Sequence, residues 1–225
     1  MAADRRTQAV AALARKLGHD FRDPSLLDQA LTQGRIQLFF QPVVAADEPA
    51  RVLHHKVLAR VIDEQGGLIP AGRFLPWVER FGWAARLDRV MLGLVLTQLQ
   101  SHQAAVALSL SGSTLREPQA LAALYAQLQQ YRHLGPRLTL ELDEDQLPDQ
   151  AALESLTQHL RSLGFGLGLQ HFGGRFSMIG NLAHLGLAYL KIDGSYIRNI
   201  DHEQHKRLFI EAIQRAAHSI DLPLI

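Results

Sequence analysis

The sequence has 225 residues, 47% of them hydrophobic, and carries 23 basic against 22 acidic side chains for a formal net charge of +1. That length buries one large core, of barrel or doubly wound type, and so even a charge balance argues against a nucleic-acid partner or a polybasic membrane surface. Cysteine is absent, which excludes disulfides and thiolate metal centres. Apolar stretches such as Val90–Leu96 are too short to cross a bilayer, and the N-terminal MAADRRTQAVAALARKLG is too charged for a signal peptide, so a soluble cytosolic segment is expected, with a membrane-bound parent protein left open.

In chain order, a helix is predicted through Gln8–Leu17, stopping near Gly18. A second starts at Asp23-Pro24, with Asp as N-cap and Pro at the first helical position, and places Leu26, Leu27, Ala30 and Leu31 on one face. Two strand-like runs follow, Arg35–Val44 and Val52–Ile62. The link between them is too short for a crossover helix, so they pair antiparallel. A helix-rich stretch over Ala71–Gln100 leads to a strand at Ala104–Ser111 and a helix from Pro118 with Leu121, Leu124 and Leu128 at helical spacing. Then come a strand at Arg137–Asp143, a helix at Asp149–Leu163, a strand at Phe165–Gln170, a strand at Ala188–Asp193, a helix at Glu203–Ser219 and the start of a strand at Leu222–Ile225. Strands alternating with helices point to a parallel sheet covered by helices. The expected fold is an α/β, TIM-like (β/α) barrel with an antiparallel first strand, truncated before its last strand; it cannot close from this segment alone.

In such barrels chemistry gathers at the C-terminal strand ends. Those ends offer Lys56, Leu58 and Arg60, then Ser109 and Ser111, then Glu141, Asp143 and Glu144, then Gln170-His171-Phe172-Gly173-Gly174, then Lys191 and Asp193. Polar groups inside a barrel are costly unless paired. One reading is a set of internal hydrogen bonds with a Lys–Glu pair; the other, favoured by convergence from five strands, is a ligand site.

These blocks, in this order, resemble the EAL domain of cyclic di-GMP phosphodiesterases over about Leu26–Ile225. Phe40-Gln41-Pro42-Val43-Val44 resembles the family's opening Tyr-Gln-Pro-Ile, and Lys56-Val57-Leu58-Ala59-Arg60 stands where Glu-Ala-Leu-x-Arg belongs. Leu68-Ile69-Pro70, Phe74-Leu75-Pro76 and Glu79 match the next block; Leu108-Ser109-Leu110-Ser111 replaces Val-Asn-Leu-Ser. Glu141-Leu142-Asp143-Glu144 matches Glu-x-x-Glu, Gln170-His171-Phe172-Gly173 replaces Asp-Asp-Phe-Gly, and Lys191-Ile192-Asp193 matches Lys-Ile-Asp.

The resemblance implies residues 1–22 as an N-terminal linker or signalling helix and residues 23–225 as an EAL domain lacking its C-terminal part. It implies two divalent cations held by Glu, Asn, Glu and an Asp pair, of which only Glu141 keeps its type here; Lys56, Ser109, Gln170 and His171 replace the others. An ammonium repels a Mg²⁺ ion from a site that needs hard oxygen ligands. The expectation is therefore a degenerate domain that is not an enzyme, has no catalytic or metal-binding residues and needs no Mg²⁺ or other cofactor. The residues matched to ligand contacts are Gln41, Lys56, Leu58, Arg60, Asp88, Glu141, Phe172, Gly173 and Lys191, with Lys56 and Lys191 supplying charge to the phosphates, Arg60 in-plane donors, and Lys56 paired with Glu141 beneath the ligand. Within the family the Lys-Val-Leu-Ala-Arg and Gln-His-Phe-Gly-Gly segments look most like LapD-type receptors. That implies a catalytically inactive cyclic di-GMP receptor in biofilm adhesion control: a cytoplasmic domain of an inner-membrane protein, homodimeric, with a signalling helix and a degenerate cyclase-like domain upstream. The alternatives are a residual metal-dependent phosphodiesterase and an interaction module without nucleotide.

Other signals carry less. Leu17–Phe21 with Leu26–Thr32 also resembles the start of ribonuclease III, without that enzyme's acidic helix downstream. His202 and His205 lack the four-residue spacing of HExxH and read as a solvated helix face. Gly164, Gly166 and Gly168 alternate as in a strand and do not form a dinucleotide fingerprint. His171 reads either as a pH-sensitive ligand contact or as a neutral histidine hydrogen-bonded where an Asp would stand.

Overall fold

The computed structural model describes residues 25–225; the helix expected over 8–17, the Asp23-Pro24 start and the 1–22 linker lie outside the described residues. The first element, α1 (Ser25–Thr32), buries Leu27, Ala30 and Leu31, spaced as one helical face. The chain then reverses at Gly34, whose φ of 71° suits a residue without Cβ.

Strands β1 (Ile36–Val44) and β2 (Val52–Ile62) form the expected antiparallel pair, in a register that sets Gln41 opposite Lys56, Phe39 opposite Leu58 and Gln37 opposite Arg60. A short β3 (Leu68–Pro70), not expected from the sequence, pairs with the end of β2. The helix-rich stretch divides into α2 (Ala71–Arg80) and α3 (Ala84–Ser101); Gly82 makes the break with a φ of 70°. Next come β4 (Val106–Leu110), a short α4 (Gly112–Arg116), α5 (Pro118–Gln130) and β5 (Leu138–Asp143). The remainder runs α6 (Gln150–Ser162), β6 (Gly166–Phe172), α7 (Ile179–Leu182), β7 (Tyr189–Ile192), α8 (Gly194–Ile197) and α9 (Gln204–Ser219). The Asp149 side chain caps α6 by accepting from Ala152 N at 2.9 Å.

The sheet runs β1-β2-β4-β5-β6-β7, with every pair from β2 to β7 parallel. It is mixed α/β, as expected, and not closed: β1 and β7 are its ends. Leu222–Ile225, expected to begin a strand, contributes a single parallel bridge from Leu224 to Leu190. Period-two alternation gives each parallel strand an apolar outer face, with Leu108, Leu140, Leu142, Leu167, Leu169 and Leu190 all in the buried core. The opposite, inner face carries the polar set. Across four strands Ser109, Glu141, Gly168 and Tyr189 stand side by side in register. The sequence thus aims its chemistry at one face simply by placing it at every second position.

Candidate functional site

Glu141 is the centre of that inner face and is fully buried. Lys56 Nζ donates to its Oε2 and to Ser109 Oγ, and at 3.0 Å to Gln170 Oε1. Lys191 Nζ donates to Glu141 Oε1 at 2.9 Å, and Tyr189 Oη donates to the same oxygen at 2.7 Å. Ser109 Oγ closes the network on Gln170 Oε1 at 3.1 Å. Lys56 sits beside Ala107 in the ladder, below the Ser109–Glu141 level, and its stem reaches up to the next layer.

Burial pushes the Glu141 carboxyl up, but the Lys56 ammonium, the hydrogen bonds from Lys56 and Tyr189, and the Lys191 charge together hold it at about 2. Burial also pushes the Lys56 ammonium down, with Glu141 opposing. Tyr189 is pushed up by burial and by the Glu141 charge, so its hydroxyl stays a donor. Two ammonium groups on one carboxylate leave a local surplus of positive charge. His54 stacks on Tyr189 at 5.2 Å between ring centroids. Burial and then Lys191 push its pKa down, and its Nε2 has no hydrogen-bond partner.

Glu144, two per cent exposed, follows β5 and accepts from three successive backbone N–H groups, those of Gly173 at 3.2 Å, Gly174 at 2.9 Å and Arg175 at 2.6 Å. It thereby fixes the loop that leaves β6. Gly173 has a φ of 151°, and a Cβ there would lie 2.3 Å from the Tyr196 ring. Within β6, His171 takes a φ of 52°, and the ladder to β7 shifts register between Leu169 and Phe172. His171 Nδ1 lies 2.6 Å from Asp143 Oδ2 with its side chain largely exposed.

The residues expected to contact a ligand fall into three places. Gln41, Lys56, Leu58 and Arg60 share the inner face of the β1–β2 pair, and Glu141 and Lys191 continue it across the sheet. Asp88, on α3, is 8% exposed and accepts from Ser111 N at 2.7 Å and Thr114 Oγ1 at 2.6 Å, which ties α3 to the start of α4. Burial pushes its carboxyl up against those hydrogen bonds. Phe172 is 1% exposed, so its side chain belongs to the core, and Gly173 lies in the loop held by Glu144. Tyr189 and His54 were missed in the sequence reading; each lies two residues before a lysine that was singled out, on the same face of its strand.

A cleft of about 390 Å³ opens between the sheet and helices α2 and α3, lined by Lys56, Leu58, Asp88, Ser111, Asp143 and His171 among others; of the residues expected to contact a ligand, Lys56, Leu58 and Asp88 line it. A second, more apolar cleft of about 240 Å³ lies at the other end of the strands, by Phe40, His55, Leu99 and Val106. In the polar network Glu141 is the one carboxylate, and both of its oxygens are taken. Among the described residues no group of three or more His, Asp or Glu side chains is placed to hold a metal ion. The donor set does not fit a pair of divalent cations, which require several free hard oxygen ligands.

Fold and site together define a barrel-type α/β domain with a cation-rich polar mouth at its strand ends. The chain belongs to the EAL domain family, whose model matches residues 25–225. It is 26% identical over 206 residues to the oxygen sensor protein DosP of Escherichia coli, covering 88% of this chain and 26% of that protein. It is 25% identical over 193 residues to the cyclic di-GMP phosphodiesterase PdeB of Shewanella oneidensis, covering 83% of this chain and 22% of that one. The chain thus spans about a quarter of the length of these curated relatives. Among solved structures it is similar to the FimX EAL domain of Pseudomonas aeruginosa bound to c-di-GMP, with a TM-score of 0.77, 26% identity and coverage of 89% and 82%. It also shares its fold with the S helix-GGDEF-EAL segment of Vibrio cholerae LapD, with a TM-score of 0.79, 17% identity and coverage of 89% and 49%.

These relatives correct one expectation. The loss of ligand types suggested that the chain is not an enzyme, yet curated relatives of comparable similarity are named cyclic di-GMP phosphodiesterases. The changed ligand types are a signal at four positions, whereas the family match extends over residues 25–225 and its relatives include named phosphodiesterases. Among the described residues no helix is long and apolar enough to cross a membrane.

Proposed function

We propose that this chain binds cyclic di-GMP at the mouth of its sheet and acts as a sensing domain for it, with no divalent cation required for binding. The observation that carries this reading is the convergence of Lys56 and Lys191 on the fully buried carboxylate of Glu141. Lys56 lines the cleft, Arg60 stands on the same strand face, and a cyclic dinucleotide presents two phosphates to such a surface. The FimX EAL domain, 26% identical, was solved with c-di-GMP bound, which supports the choice of nucleotide.

The reading extends to the parent protein. There, residues 1–22 would link an upstream cyclase-like domain to this one, in a cytoplasmic module of an inner-membrane receptor that pairs with a second copy and controls biofilm adhesion. Its support is the likeness of the Lys56–Arg60 and Gln170–Gly174 segments to LapD-type receptors. A second reading, favoured by the names of the relatives, is hydrolysis of the same nucleotide. Calorimetric titration of cyclic di-GMP in EDTA and then in Mg²⁺, with chromatography of the recovered nucleotide, separates the two. Saturable heat in EDTA with intact nucleotide supports the sensing reading. Mg²⁺-dependent conversion to the linear dinucleotide establishes the second, and no heat in either condition overturns both.

A further inference from the structure

Phe39 is an apolar residue in a position that core packing does not explain. It pairs with Leu58 across the β1–β2 ladder and so stands on the inner face with Lys56, Leu58 and Arg60, yet it is 37% exposed. Arg60 lies diagonally across the ladder, and its guanidinium carbon is 5.3 Å from the centroid of the Phe39 ring. Arg60 Nη1 also donates to the carbonyl of its own neighbour Ala59 at 2.9 Å. Among the described residues no carboxylate pairs with Arg60.

The two ways of holding an arginine differ in what they leave for a ligand. A carboxylate partner fixes the guanidinium and cancels its charge. An aromatic face fixes it and leaves the charge whole, with in-plane N–H donors free to bond elsewhere. An arginine restrained before binding also loses less side-chain entropy when the ligand arrives. We propose that Phe39 is the positioning residue for Arg60 in the nucleotide site, presenting its uncompensated guanidinium to a phosphate; this rests on the reading above that Arg60 binds phosphate.

The test has two readouts. In the nucleotide-free protein, the Arg60 Nε–Hε resonance is displaced by the ring current of Phe39, keeps that displacement in Phe39→Tyr and loses it in Phe39→Leu. In titrations of cyclic di-GMP, Phe39→Leu weakens binding about three- to fivefold, the worth of an exposed cation–π contact, and Phe39→Tyr restores it. In an Arg60→Gln background Phe39→Leu has no further effect. An unshifted Arg60 resonance in the unmodified protein, or a Phe39→Leu loss of equal size with and without Arg60, overturns the proposal. Absence of nucleotide binding by the unmodified protein overturns the functional reading instead, and the resonance, which needs no nucleotide, then decides the positioning claim by itself.

Discussion

Tyr189 reaches across Gly168 to donate a hydrogen bond to Glu141 Oε1 at 2.7 Å, joining β7 to β5 over the strand between them. The glycine makes this possible, since a Cβ on residue 168 would lie 2.6 Å from Cε2 of the tyrosine ring. Gly168→Ala therefore displaces the ring and destabilises the fold by about 1–3 kcal/mol, the usual cost of overpacking. Tyr189→Phe removes one donor from a buried charged acceptor and costs about 1.5–3 kcal/mol. Urea unfolding followed by circular dichroism measures both.

Glu141 sets an acid limit on stability. Its carboxyl stands at about 2 in the folded chain against an ordinary value of 4.5. A group whose pKa is depressed on folding contributes stability that is present above the unfolded value and is lost as pH falls through the folded one. The Glu141 contribution is thus full above pH 4.5 and declines from there toward pH 2. Glu141→Gln leaves two ammonium groups without their counter-charge, a loss of about 3–5 kcal/mol at neutral pH. The variant's unfolding free energy is also flatter over that acid range, which urea titrations at successive pH values record.

Glu144 holds its loop by three backbone hydrogen bonds. Glu144→Ala leaves buried or half-buried N–H groups of Gly173, Gly174 and Arg175 without their acceptor, at about 1–3 kcal/mol for each that water fails to reach. Hydrogen exchange at those three amides accelerates relative to the amides of β5, whose own ladder is untouched. Equal acceleration throughout the sheet would instead mark a global loss of stability.

The alternating sheet and most element positions were legible in the sequence, because strand periodicity and the short hairpin link are local signals. The Lys56–Glu141 pair was legible too, since both are charged residues at inner positions of neighbouring parts of one sheet, where an unpaired charge is costly. What escaped the reading is nonlocal or fine-grained. The pairing of Leu68–Pro70 depends on β2 being in place, and the break between α2 and α3 rests on a single left-handed glycine. Gly166 and Gly168 alternate as in a strand, and only the fold accounts for the bare position 168, since the Tyr189 ring occupies the room beside it. The register shift between Leu169 and Phe172, and the burial of the Phe172 side chain, have no local signal in the motif. Nor do the hydrogen bonds of Asp88 to the turn at Ser111 and Thr114, which join residues more than twenty positions apart.

The central claim is that Lys56 supplies positive charge to a nucleotide phosphate where metal ions are not needed. It is tested most directly by comparing the Kd of cyclic di-GMP for the unmodified chain and for Lys56→Glu, both in EDTA. Lys56 gives its three donors to Ser109, Glu141 and Gln170, so it acts on the phosphates through its charge; reversing that charge is predicted to weaken binding about tenfold, the worth of roughly 1–2 kcal/mol of lost attraction. An unchanged Kd in EDTA would contradict the account.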